Sequence, residues 1–168
     1  MAPEINLIIK NKEDVQYIHN FVDSFAGNYQ RKILSFLVNE FILFNYDKVY
    51  IRIDIIGDFD FHIFYNNESI IWISVGSKTQ VLSVYGVEFR WDEELSDIEL
   101  QEELYFIYTD IFRGKYKGEL EEDTKGNFIS STITYKNGKG LSSDMITSLL
   151  TKRSERNTKE FNGVNLYK

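Results

Sequence analysis

The sequence predicts an α+β fold in which an antiparallel β-meander packs against helices. Three observations carry this expectation. Apolar residues recur at helical spacing up to about Asn45, alternate with polar ones from Val49 to Trp91, and return to helical spacing after Ser96. Hairpin turn residues join the alternating runs, and the resulting order, ααββββαββα, is that of a meander flanked by helices. No repeat and no Pro- or Gly-rich linker divides the 168 residues, so a single domain over 1–168 is expected, with a polar tail from about 153.

The segment Ile5 to Ile9 can form a short strand ahead of this order. Asn11 is then suited to cap a first helix, with Glu13 and Asp14 in its opening turn complementing the helix dipole. Val15, Ile18, Val22 and Phe25 form its apolar stripe, and Gly27-Asn28 ends it. A second helix is expected from about Tyr29 to Asn45. Its apolar residues lie nearly all round, which suits burial on more than one side or half of a dimer interface.

The period then changes to 2. Val49, Ile51, Ile53 and Ile55 alternate with polar residues, as do Phe59, Phe61, Ile63 and Tyr65. A two-residue loop at Gly57-Asp58 would set Ile55 against Asp60, whereas an odd-numbered loop sets Ile55 against Phe59 and Ile53 against Phe61. A three-residue turn or a bulge is therefore predicted. Asn66-Asn67 reads as a two-residue hairpin turn into Ile70–Val75, because asparagine tolerates positive φ. A fourth strand or a bent pair follows from Gln80 to Trp91, with a bulge at Gly86. Ser96-Asp97-Ile98-Glu99 has the form of a capping box and opens a third helix, which Gly114 closes. A hairpin around Thr124–Asn127 and a last helix from Ser143 to Lys152 complete the reading.

Charge is distributed unevenly along these elements. Between Asp92 and Asp123 twelve acids stand against three bases, a local charge of −9 in a chain of −7. Such a localised field selects partners, and acidity of this kind excludes general nucleic-acid binding, which depends on Lys and Arg. Absence of cysteine removes disulfides, thiolate metal sites and cysteine nucleophiles. The first ten residues lack the basic region of a signal peptide, and nowhere do about 18 consecutive apolar residues occur. A cytoplasmic protein without a membrane segment is expected.

On the third helix, Leu100, Leu104, Ile107, Tyr108 and Ile111 form the apolar stripe, while Glu99, Glu102, Glu103 and Asp110 occupy the other side with Phe106 among them. Either this is a solvated face on which Phe106 covers a neighbouring loop, or it is an aromatic anchor among carboxylates that binds a basic protein. Asp54, Asp58, Asp60 and His62 could hold a divalent ion. With Arg52 opposite His62 and Asp54 opposite Asp60, a polar cross-strand ladder explains them without one. His19 lies at the edge of the first helix's stripe and is expected to be partly buried and hydrogen-bonded. Gly76-Ser77-Lys78-Thr79 does not satisfy the phosphate-loop pattern, and no hydrolase elbow occurs. No catalytic residue, metal or cofactor is assigned.

The segment Asp47-Lys48-Val49-Tyr50 enters the meander, Phe64-Tyr65 lies in its second strand, and an acidic helix and a terminal hairpin follow. Over roughly Asn45 to Gly138 this arrangement resembles the YezG-like immunity proteins, whose tryptophan-rich strand ends Trp72 and Trp91 echo loosely. Those proteins are small acidic antitoxins that neutralise toxins, often nucleases, secreted by Gram-positive bacteria. The resemblance implies a non-enzymatic inhibitor of a basic toxin, and it transfers no functional residue. Two other functions fit the sequence: an anti-defence protein of a phage or mobile element that mimics nucleic acid, and a small-ligand or metal-binding enzyme using the Arg52, Asp54, Asp60 and His62 face.

Overall fold

A computed structural model describes residues 4–135, 138–143 and 155–168. Its centre is a six-stranded antiparallel sheet in strict meander order: β1 (Ile5–Ile9), β2 (Val49–Ile56), β3 (Asp58–Tyr65), β4 (Glu68–Val75), β5 (Gln80–Val84) and β6 (Val87–Trp91). The register of β2 on β3 follows from the alternation. Ile55 pairs with Phe59 and Ile53 with Phe61 across a turn at Gly57, whose φ is +82°. A one-residue slip would turn one apolar set away from the core, in which Ile51, Ile53, Phe59 and Phe61 are fully buried. Asn66 and Asn67 make the next turn at φ +48° and +66°, as their tolerance of the left-handed region allows.

Of the two forms expected over Gln80 to Trp91, a fourth strand or a bent pair, the structure takes the pair. Tyr85 and Gly86 both have positive φ, +49° and +83°, and join β5 to β6 as a two-residue turn, so Gly86 is a turn position and no bulge. The register shift of this sheet lies instead between Ile63 and Phe64, where Ile63 pairs with Ile71 but Phe64 with Ser69. Ile70 is left between them, buried, with its carbonyl accepting the Tyr85 N–H at 2.9 Å.

Helices α1 (Gln16–Phe25) and α2 (Asn28–Phe41) stand between β1 and β2 in the chain. Asn11 does act as a cap, its side chain accepting the Asp14 N–H at 2.9 Å, but it caps a run of turns, and the helix proper begins at Gln16. Val15, Ile18 and Val22 are buried as their spacing predicts. Phe25 departs from the stripe at the last turn and is 45% exposed. On α2, Tyr29, Ile33, Leu34, Leu37, Val38 and Phe41 are buried on several sides, but the helix ends before the expected Asn45, leaving Ile42 and Leu43 exposed. Its buried Gln30 is satisfied at both ends: Nε2 donates to the Val75 carbonyl at 3.1 Å and Oε1 accepts the Gly27 N–H at 3.0 Å.

The third helix, α3, comprises Asp97–Glu99, a π-helical segment Leu100–Leu104, and Tyr105–Phe112. Gly114 closes it at φ +70° in a Schellman motif: its N–H donates to the Ile111 carbonyl at 3.0 Å, and the Lys115 N–H to the Asp110 carbonyl at 2.8 Å. A second sheet, in the order β10-β7-β8-β9, is formed by β7 (Tyr116–Asp123), β8 (Phe128–Tyr135), β9 (Gly138–Ser143) and β10 (Arg156–Asn162). The β7–β8 turn forms where the sequence placed it. There the Asp123 carboxylate accepts the Asn127 side-chain amide and the backbone N–H groups of Asn127 and Lys125, all at 2.8 Å, and these bonds, the Asn127 side chain's first, hold its carboxyl below the usual range.

The C-terminal part differs most from expectation. Ser143 closes strand β9 and starts no helix, while the remainder of the expected last helix, 144–152, lies outside the described residues. The expected polar tail supplies β10, which pairs along β7 from Arg156 opposite Asp123 to Asn162 opposite Lys117. Beyond it Leu166 is fully buried in the same apolar cluster as α2 and α3, and Tyr167 bridges to Phe44. The described order is therefore βααβββββαββββ, an α+β fold with two antiparallel sheets. Among the described residues no helix is long and apolar enough to cross a membrane.

Candidate functional site

The acidic helix is positioned by its first turn. The Glu99 N–H donates to Ser96 Oγ at 3.3 Å, and the Ser96 N–H donates to Glu99 Oε2 at 2.7 Å, completing the capping box read from the sequence. Those bonds from Ser96 hold the Glu99 carboxyl below the ordinary glutamate range. Replacing Ser96 with alanine removes one half of the box and is expected to cost about 1 kcal/mol, read by urea unfolding. An unchanged midpoint would show that packing alone positions α3.

The apolar stripe is as expected, with Leu100, Leu104, Ile107, Tyr108 and Ile111 all buried and Phe112 joining them. Tyr105 stacks on Phe36 of α2 at 4.1 Å and 9°, and Lys32 of α2 pairs with Asp97 at 2.6 Å, so α2 holds the helix along one side. Phe106 projects into solvent and is 55% exposed, and Glu102 is exposed as well.

The other carboxylates separate from this pair. Glu103, exposed, accepts a hydrogen bond from Trp91 Nε1 at 2.9 Å and thereby ties α3 to β6. Asp110 is only 9% exposed and does not belong to the open face on which the helical spacing places it. Glu103, Ile107 and Asp110 follow one another at i, i+4, i+7 along the side of α3 turned towards β8. There the Tyr135 hydroxyl is pushed up in pKa by burial and then by the Glu103 and Asp110 charges. A helical pattern distinguishes apolar from polar sides, but it does not show that a second sheet covers one of the polar sides. The accessible part of the acidic surface is thus Glu99, Glu102 and Glu103 around Phe106, of which Glu102 has neither of the cap or Trp91 bonds, flanked by the exposed Asp92, Glu93 and Glu94 before the helix.

The strand-face constellation forms a polar ladder around Asp54. Its carboxylate accepts Asn6 Nδ2 at 2.6 Å and Arg52 Nε at 3.2 Å, and lies 3.5 Å from His62 Nε2. Burial, and then the Arg52 charge, lower the His62 pKa against the opposing pull of Asp54 and Asp60. Aromatic rings complete the surface: Tyr50 stacks on Phe64 at 4.4 Å, Arg52 lies 5.9 Å over Phe64, and His62 stacks on Trp72 at 6.4 Å. Among the described residues no group of three or more His, Asp or Glu side chains is arranged to hold a metal ion. His19 is exposed on α1, contrary to the partial burial expected of it, because it lies past the edge of the buried stripe.

A cleft of about 930 Å³ was not legible in the sequence, since its walls come from distant segments. Ile42, Leu43 and Tyr46 line it together with Arg113, Lys115 and Tyr167. The Tyr167 hydroxyl donates to Glu40 at its wall, and burial followed by the Glu40 charge raises its pKa. No protein-family model, curated protein or solved structure matches this chain.

Proposed function

We propose that this chain is a non-enzymatic binding protein that inhibits a basic partner through the exposed part of α3, acting in the cytoplasm as an immunity protein against a nuclease-type toxin. The observation that carries this reading is the 55% exposure of Phe106 within the most acidic stretch of the chain. A large ring held in water on a rigid helix is a candidate anchor, because burial of such rings dominates interface energies. The carboxylates around it supply the complementary field: they accelerate encounter with a basic surface and oppose acidic ones. In this reading Glu102 and the acids at 92–94 stand where the partner's Lys and Arg would otherwise meet phosphate. Glu99 and Glu103 add charge while their oxygens remain engaged by Ser96 and Trp91.

The test is affinity capture of the partner from the native host, followed by association and dissociation kinetics. Phe106→Ala is expected to raise the off-rate by roughly 30-fold, corresponding to about 2 kcal/mol, and to leave the on-rate nearly unchanged. Glu102→Lys is expected to lower the on-rate several-fold at low salt and much less when the charges are screened. Unchanged kinetics in both variants, or a complex insensitive to salt, would remove this surface from the interface.

A further inference from the structure

We propose that β1 is a self-association edge, and that two copies of this chain pair β1 with β1 antiparallel about Leu7 to join their meanders into one continuous sheet. β1 is the terminal strand of the six-stranded order, and its ladder runs to β2 alone, from Ile5 opposite Ile55 to Ile9 opposite Ile51. Beyond that ladder, no backbone hydrogen bond among the described residues reaches residues 4–9. Among the described residues its outer side therefore offers a row of N–H and C=O groups to another strand.

Sheet edges are ordinarily protected by an inserted charge, a proline or a bulge. Ile5–Ile9 contains no charged residue and no proline, and its pairing with β2 runs without a register shift. Ile8 is 46% exposed, and Ile5 and Leu7 are only partly covered where the core reaches this edge.

The charges lie at the two ends and have opposite signs. Glu4 precedes the strand and Lys10 follows it; both are exposed, and neither side chain has an ion-pair partner among the described residues. Antiparallel pairing centred on Leu7 sets Ile5 opposite Ile9, Asn6 opposite Ile8 and, twice by symmetry, Glu4 opposite Lys10. Moving the centre by one residue breaks both Glu4–Lys10 pairs, and a centre at Ile8 sets Glu4 opposite Lys12, which lies beyond the strand. In this register odd residues meet odd and even meet even, so outward-directed backbone groups meet their like and can complete a ladder. The same parity keeps Ile5, Leu7 and Ile9 of both copies on one side of the joined sheet, continuing the core face across the two-fold axis. So short an edge buries less than a standard interface, which suits a weak, concentration-dependent dimer.

Sedimentation equilibrium of the full chain from micromolar to millimolar concentration tests the proposal. A monomer–dimer equilibrium is expected. Lys10→Glu replaces both attractive pairs with like charges and is expected to weaken the dimer by about tenfold or more. The double variant Glu4→Lys, Lys10→Glu reinstates both pairs in reverse and is expected to return the dissociation constant to within about threefold of the original. Ile8→Lys places a protecting charge on the edge and is expected to leave a monomer. All these substitutions lie at exposed positions, and circular dichroism checks that each variant folds. A chain monomeric at millimolar concentration would overturn the proposal. So would a dimer equally stable in Ile8→Lys and Lys10→Glu, or a double variant no tighter than Lys10→Glu alone.

Discussion

Phe41→Ala is expected to lower the free energy of unfolding by about 3–5 kcal/mol, measured by urea or guanidinium denaturation. Phe41 is fully buried at the last turn of α2, with its ring centroid 5.3 Å from Phe61 of β3, 5.4 Å from Phe44 and 6.3 Å from Phe112 of α3. The ring thus joins the first sheet, both long helices and, through the Phe44–Tyr167 contact at 5.7 Å, the C-terminal segment. Truncation removes its burial and leaves a cavity that four separate elements would have to close, which rigid elements do poorly. A loss of this size is a large fraction of the about 5–15 kcal/mol that holds a typical domain together. Phe106→Ala removes the same ring from an exposed site and is expected to change stability by no more than about 0.5 kcal/mol. If the two variants unfolded alike, the packing described for Phe41 would be wrong.

Gly114→Ala is expected to cost about 3 kcal/mol or more, from two sources that a control can separate. At φ +70° an alanine pays about 1–2 kcal/mol for the left-handed backbone. A Cβ at this position would also meet the Val164 carbonyl carbon at 2.5 Å and the Asn165 nitrogen at 2.8 Å. These are backbone atoms that no rotamer change can move aside, and overpacking of this kind adds about 1–3 kcal/mol. Relief would require the C-terminal segment to shift. That segment is fixed where the Leu166 N–H donates to the Phe112 carbonyl and the Leu166 carbonyl accepts the Asn45 N–H, both at 2.8 Å. Gly57, at φ +82° with no atom within 4 Å of a built Cβ, supplies the control. Gly57→Ala is expected to cost the backbone part alone, so equal thermal shifts in the two variants would mean that residues 164–166 do not pack against Gly114.

Features that depend only on neighbouring residues were legible before any folding. The β2–β3 register followed from alternation, because one residue of slip would put polar side chains into the core. The Asn66-Asn67 turn, the Ser96 capping box and the Gly114 helix end followed from short-range chemistry that needs no distant partner. The buried stripe of α3 was legible for the same reason. Tyr85 was the local exception, since a tyrosine at positive φ gives no turn signal; the segment therefore read equally as one strand or a bent pair, with Gly86 as a bulge where it is a turn.

Tertiary structure alone decided the rest. The stretch after 155 is polar, and its role as an edge strand depends on the free side of β7, which lies about 40 residues earlier in the chain. Asp110 and Glu102 look alike on a helical projection, yet one is buried near Tyr135 of β8 and the other faces water, because helical spacing records sides of a helix and not what packs against them. Phe106 was ambiguous for that reason, and only the packed structure leaves it 55% exposed among the described residues. Burial is a property of surfaces that meet, and which surfaces meet is settled by the whole chain folding at once.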